Sequence, residues 1–295
     1  MDDQTKLKIE KENEKILNEI DLKEPPLLVE DVLQHLELYR GYYNLEDPKL
    51  LQHFWHEVEI KKNKFFKLVR EKAKLVAMWF PKESQILIDN DLPKPKKKWA
   101  THHEIEHRII PWHKSYYLGD TVQTLDPHYQ EILEAEANFG TSHLMFCGDL
   151  FKKEALETVP KWASIELLAK RYSNSLVTTM RRYVTASHEI PMVAFISATH
   201  WQPKPEELPN RWRHFIKSNE FESRFKNVSP DTILASIDNN TSIRRGGPVG
   251  DFCLSLKDVN EDEHEFLAES FFNRHYILTF IVYRGKLGRC GIIVP

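Results

Sequence analysis

The chain has 295 residues, about twice the roughly 150-residue domain prior, so one catalytic-sized domain with a smaller companion, or one large domain, is expected. A hydrophobic fraction of 41%, a charged fraction of 29% and a net charge of −3 exclude a disordered chain, a membrane-embedded chain and a protein that holds nucleic acid by bulk charge. Only 10 residues are glycine, about half the usual ~7%, which argues against glycine-rich phosphate loops.

The first segment, MDDQTKLKIEKENEKILNEI, is charged throughout and has no apolar h-region, so no secretory signal is expected. Its sparse Ile and Leu predict a solvated helix or frayed arm over residues 1–24, ended by Pro25-Pro26. LLVEDVLQHLELYRGYY and residues 50–74 carry apolar side chains at i, i+3, i+4 spacing and are predicted helical. LVAMWFPKESQILIDNDL alternates around a Pro-Lys-Glu-Ser turn, predicting a β-hairpin with strands over 75–80 and 85–88. The basic LPKPKKKW reads as a solvated loop leading into a helix near Trp99. Residues 126–146 form the next predicted helix, with Pro127 at its first position.

Residues 161–184 predict two short helices around Tyr172-Ser173-Asn174-Ser175, with Ser173 or Asn174 capping the second. Beyond His188, MVAFISA reads as a strand, 203–209 as a Pro-rich connector, and two short helical pieces run to about Asn239. GDFCLSL, EFLAESFF and HYILTFIVYR then read as strands, with Asn273 and Arg274 as a turn. The longest apolar runs, near 192–198 and 276–283, fall far short of the ~18 residues that span a bilayer, so no membrane contact is expected. Cys147, Cys253 and Cys290 are odd in number, far apart and without CxxC spacing, which predicts a reducing, cytoplasmic setting.

The histidines carry the chemistry. Six of the 14 (His102, His103, His107, His113, His128 and His143) lie between residues 102 and 143, where an even spread predicts about two. Within them His103-Glu104-Ile105-Glu106-His107 matches HExxH. On a helix, positions i and i+4 share a face, so His103 and His107 can offer imidazoles to one metal while Glu104 emerges beside them as a general base. The other i, i+4 pair, His102 with Glu106, has no adjacent base and leaves His103 idle. A catalytic zinc takes three protein ligands and keeps one position open. In ILEAEANFGTSHLMF, Glu134 and Asn138 share a helical face, which makes Glu134 the third ligand and Asn138 its supporting partner. Glu131 is the fallback and Glu136 points elsewhere. His113, Tyr129 and His143 are the candidate oxyanion donors.

These residues resemble the ImmA/IrrE-type zinc metallopeptidases, a branch of the zincins with an HExxH helix and a downstream glutamate in an ExEAN motif. The matching text is QILIDNDL, ATHHEIEHRIIPWH, EAEANFGTSHLMF and ELLAKRYSNSLVTTMRRYV, in the family's order and covering roughly residues 75–185. Gly140, Thr141 and Phe146-Cys147 depart from the family's usual residues, and bear on packing and the substrate cleft more than on the metal. The resemblance implies Zn2+ held by His103, His107 and Glu134, with Glu104 as general base. It implies a zincin-like, helix-rich metallopeptidase domain with a small antiparallel sheet; with the change of texture after His188, the expectation is an α+β chain with that domain over 25–187 and a smaller β-rich α+β domain over 188–295. By analogy with the family, the substrate is a protein, a helix-turn-helix transcriptional repressor. Residues 161–187 look like a helix-turn-helix themselves, with Lys161, Lys170, Arg171, Arg181 and Arg182 against Glu166. The sharp reading of that segment is a DNA contact; the resemblance favours a helical subdomain packed on the catalytic unit. The alternative function is a non-catalytic, metal-containing regulator that binds DNA or a partner protein.

Overall fold

Asp2 starts the first helix by accepting the backbone N–H of Thr5 at 2.9 Å, leading into α1 (Asp3–Glu19). In this computed structural model the described residues are 1–44, 77–80, 84–118, 127–186, 188–201, 211–242 and 245–287. Contacts divide the chain into two units, Met1–Phe151 and Lys152–Pro295.

α1 is no frayed arm. Ile9, Asn13, Ile16 and Leu17 form a buried stripe at helical spacing. The helix stops at Ile20, before the two prolines, because Asp21 takes a left-handed φ of 54° and the Leu22 N–H returns to the Leu17 carbonyl at 3.1 Å. The same device shortens the next segment. α2 runs only over Val29–His35, Glu37 adopts φ 54°, and the Leu38 N–H bonds the Leu33 carbonyl at 2.8 Å. The tyrosine-rich YRGYY, expected as helix, is instead strand β1 (Tyr39–Tyr43). Aromatic side chains suit a pleated, half-buried surface, and the left-handed Glu37 frees the chain to turn there.

β2 (Ala77–Phe80) and β3 (Gln85–Asp89) form the expected antiparallel hairpin, with Trp79 opposite Ile86. β1 joins the other side of β3 in parallel, so the sheet order is β1-β3-β2 and the sheet is mixed rather than purely antiparallel. Ile86, Leu87 and Ile88 of the central strand are all buried, which explains their unbroken apolar run. The helices expected over 50–74 lie outside the described residues.

α3 (Lys94–Ile109) begins five residues before Trp99, taking in the KPKKK segment that reads as a loop. Pro95 sits in the first turn, where its missing N–H breaks no helical bond. Lys97 is held over the Tyr42 ring at 5.2 Å. Three further helices follow, α4 (Pro111–Leu118), α5 (Pro127–Met145) and α6 (Asp149–Glu157). α3 packs on α5, β2 and β3, and α1 packs on α5. Between α5 and α6, Cys147 and Gly148 both take positive φ, and Glu14 of α1 accepts the Asp149 N–H at 2.8 Å, anchoring the start of α6.

The second unit is built on a five-stranded antiparallel sheet of order β5-β4-β8-β7-β6. Its strands are β4 (Met192–Ser197), β5 (Trp212–Lys217), β6 (Gly247–Lys257), β7 (Glu263–Phe272) and β8 (Ile277–Lys286). β5 is not legible in the sequence; its burial is intermediate without clean alternation. Asn273 and Arg274 form the expected turn, the Asn273 side chain accepting the Tyr276 N–H at 2.8 Å. α9 (Asn219–Arg224), the Phe225 that follows it and α10 (Pro230–Asn240) bury Phe221, Phe225, Ile233 and Ile237 in one core with Val193, Phe195, Phe266 and Ile281.

α7 (Trp162–Arg171) and α8 (Leu176–Val184) carry the segment predicted as helix-turn-helix. Ser175, not Ser173 or Asn174, caps α8, while Ser173 takes φ 51° as α7 ends. These helices belong to the second unit. Trp162 stacks on Phe271 with centroids 5.2 Å apart and donates its backbone N–H to Glu269, and Tyr183 meets Phe280 edge to face. The division therefore falls after Phe151, not near residue 187 as expected. The chain is mixed α and β, and among the described residues no helix is long and apolar enough to cross a membrane.

Candidate metal centre

α3 and α5 bring their functional faces together because α5 carries almost no side chain where α3 presses closest. A Cβ at Gly140 would stand 2.1 Å from Glu106 Oε2 and 3.0 Å from the Ile9 side chain. Glu106 is fully enclosed and cannot retreat into solvent. The Gly140 carbonyl accepts from Asn13 Nδ2 at 2.9 Å, so α1 clamps the same point. Gly140→Ala is therefore expected to lower stability by about 1–3 kcal/mol despite alanine's better helix propensity. Urea denaturation followed by circular dichroism checks this, and a stabilised variant would contradict it.

Across that contact stand His103 and His107 of α3 and Glu134 of α5. His103 Nε2 lies 3.2 Å from His107 Nε2 and 3.1 Å from Glu134 Oε2, and His107 Nε2 lies 3.6 Å from Glu134 Oε1. Donor atoms around a tetrahedral ion with bonds of ~2.0–2.1 Å are separated by about 3.3 Å, so two imidazole nitrogens and a carboxylate at these spacings fit a zinc-type cation. The imidazoles meet edge to face, with ring centroids 4.8 Å apart. The Glu134 side chain is 44% exposed while that of His107 is 2% exposed, so the group opens toward solvent on its carboxylate side.

The electrostatics separate the two glutamates. Burial pushes the Glu104 carboxyl up, against the opposing pull of His107 and His103. Burial also acts on Glu134, but the hydrogen bond from His103 and the attraction of the neighbouring imidazoles outweigh it and hold that carboxyl well below the ordinary range. One carboxylate stays ionised among the imidazoles, as a cation ligand must, while its neighbour is tuned toward carrying a proton. The Trp79 backbone on β2 supports the ionised form of Glu104. Burial lowers the His103 ring, but Glu134, Glu104 and Asn138 together raise it, so Asn138 stands beside His103 as its spacing predicts.

The remaining predicted residues scatter. Glu131 is exposed on α5, outside the grouped donors. His102 and Glu106 are both fully buried away from the group, His102 with Nδ1 on the Lys98 carbonyl at 2.8 Å. His143 lies nine residues beyond Glu134, about 13 Å along the helix, and faces Glu14 at 3.8 Å. Glu14, His143 and Asp149 also lie close together, but Glu14 is already engaged by the Asp149 N–H. Tyr129 is half-buried in the first turn of α5. His113 is not free to face a substrate oxygen: it is wholly buried, with Nδ1 2.9 Å from His107 Nδ1 and Nε2 2.9 Å from Glu136 Oε2. Burial and the neighbouring His107 lower its pKa to about 3.

Glu136 is the residue that sequence reasoning set aside. Two positions along a helix is about 200°, so Glu134 and Glu136 must face different ways. Glu136 turns toward the Pro-Trp-His corner, where Trp112 Nε1 donates to its Oε2 at 2.6 Å. The signal was available: a buried acid needs donors, and PWH supplies two within three residues of the HExxH helix.

No family model matches the sequence, and no curated protein matches it. A solved Mycobacterium tuberculosis transcriptional regulator has a similar fold, with a TM-score of 0.51 at 9% identity, over 95% of this chain and 88% of that one.

Proposed function

We propose that the first unit is a zinc-dependent endopeptidase of the ImmA/IrrE kind, zincin-like in fold, that hydrolyses a peptide bond in a protein substrate. The observation that carries the reading is the spacing of His103 Nε2, His107 Nε2 and Glu134, within a few tenths of an ångström of the edges of a tetrahedral zinc site, with Glu104 buried beside them. Bound there, zinc supplies Lewis acidity, polarising a carbonyl oxygen and lowering the pKa of water to about 7.

The residues divide the remaining work. His103 and His107 present their Nε2 lone pairs, and Glu134 contributes one negative charge that its imidazole neighbours keep ionised. Glu104 accepts the proton of the attacking water and delivers it to the leaving amine, a role suited to a carboxyl whose pKa is raised by burial. β2 is an edge of its sheet among the described residues, and its Trp79 backbone touches Glu104. An extended peptide that added to this edge would run beside the general base.

The substrate we favour is a helix-turn-helix transcriptional repressor. Incubating the zinc-loaded protein with such repressors, then mapping fragments by mass, tests the reading. A discrete cut abolished by chelation is expected; intact repressors in the presence of a full equivalent of metal would overturn it. A regulator that uses the metal structurally is the second reading, favoured by the fold it shares with a transcriptional regulator. A direct DNA role for α8 is less supported, because Thr179, Met180, Tyr183 and Val184 are buried and Arg171 of α7 is held by Glu154 at 2.8 Å. A salt-sensitive gel shift without cleavage would favour it.

A further inference from the structure

We infer that His113 and Glu136 are positioning residues of the metal centre, holding His107 in the one tautomer that turns its Nε2 lone pair toward the cation. The inference rests on the metal-site reading above.

The hydrogen-bond chain has one direction. Glu136 Oε2 receives Trp112 Nε1 at 2.6 Å and faces His113 Nε2 at 2.9 Å. His113 Nδ1 stands 2.9 Å from His107 Nδ1, a distance at which two lone pairs repel and one nitrogen must donate. On the metal-site reading a cation is held by His107 Nε2, which leaves that ring's proton on Nδ1, so His113 Nδ1 is the acceptor and His113 Nε2–H points at Glu136. The donor is then His107 Nδ1–H. What remains on His107 is a bare Nε2, 3.2 Å from His103 Nε2 and 3.6 Å from Glu134 Oε1.

Metal-binding histidines commonly give their second N–H to a carboxylate or carbonyl. Here an imidazole is interposed, and the anchoring carboxylate lies two residues from the ligand Glu134 on the same helix. α5 thus supplies both a donor to the cation and the far end of the chain that orients a second donor. Trp112 makes the anchor rigid by occupying the same Glu136 oxygen.

The test is a calorimetric titration of the full chain, stripped by chelator, with zinc chloride. His113→Phe keeps much of the buried volume but offers His107 no acceptor; His113→Gln restores an acceptor oxygen. Zinc affinity should fall about 10–100-fold in His113→Phe and recover most of that loss in His113→Gln. Melting curves establish that both variants are folded. Long-range 1H–15N spectra of the unmutated, metal-free chain give a second readout, with His107 expected to be protonated at Nδ1 and bare at Nε2. Parental affinity in His113→Phe, or a His107 protonated at Nε2 in the metal-free chain, overturns the inference alone. A parent chain that takes up no zinc overturns the inference and the metal-site reading together.

Discussion

Glu104→Gln is expected to bind zinc as tightly as the parent and to cleave its protein substrate at least about 100-fold more slowly. Glu104 is not one of the grouped donors, so the exchange leaves His103, His107 and Glu134 in place. The side chain is 7% exposed, and the amide fills the same space. What disappears is the ability to accept a proton. The fold should tolerate the change well, since a carboxyl whose pKa is raised mainly by burial is a net cost to the folded state when ionised. Single-turnover cleavage with metal analysis on the same preparation separates the two effects. Full cleavage by the variant would remove Glu104 from the mechanism; loss of both metal and cleavage would make it a structural residue. The same shift gives a pH expectation. The acid limb of cleavage should lie above the ordinary glutamate value of 4.5, because Glu104 must be ionised to act and burial raises its pKa.

Much of this site can be read from the one-dimensional pattern. A four-residue spacing on a helix is a statement about one face, so HEIEH and the EAEAN segment identify His103, His107 and Glu134 before any tertiary contact is known. The hairpin 77–80 with 85–89 is equally legible, because alternation around a turn is local. What escapes has a common cause in chain reversals and contacts that a sequence does not mark. Two helices stop at Asp21 and Glu37, residues in left-handed conformation where a glycine would have announced the turn. β1 was hidden behind the second of these. The role of Glu136 depends on the corner at Pro111 folding back onto α5, and no periodicity reports that. The helices over 162–184 come after the segment of the grouped donors in sequence, yet pack on β4 and the rest of the second sheet, because Trp162 and Tyr183 find Phe271 and Phe280 there. Motif order named the three donor side chains that the fold groups, but not the boundary of the unit that holds them.

His102→Gln should change sign with pH, less stable than the parent near neutrality and more stable in acid. His102 is wholly buried, with its Nδ1 at 2.8 Å from the Lys98 carbonyl and its Nε2 enclosed without a hydrogen-bond partner. Burial is the main cause that lowers its pKa from 6.5 to about 4, opposed by the bond to the Lys98 carbonyl and by Glu30. The unfolded chain then binds more protons than the folded one between those two values, so the parent loses stability as pH falls below 6.5 and stops losing it near 4. At about 1.4 kcal/mol per pH unit, the window accounts for roughly 3 kcal/mol. Glutamine keeps a donor for the Lys98 carbonyl and has no charge to acquire, so it escapes this loss. At neutral pH it should still cost about 1 kcal/mol for imperfect filling of the ring's space. Buried Glu104 and Glu106, whose pKa values burial raises, act in the opposite direction in both chains. The difference between variant and parent cancels them and isolates His102. Urea midpoints of both chains at pH 7.5, 6, 5 and 4 should cross, with the variant gaining steadily on the parent. Parallel curves would mean that His102 accepts a proton in the folded state as readily as in the unfolded chain, and that Glu30 reaches it better than the burial of the ring implies.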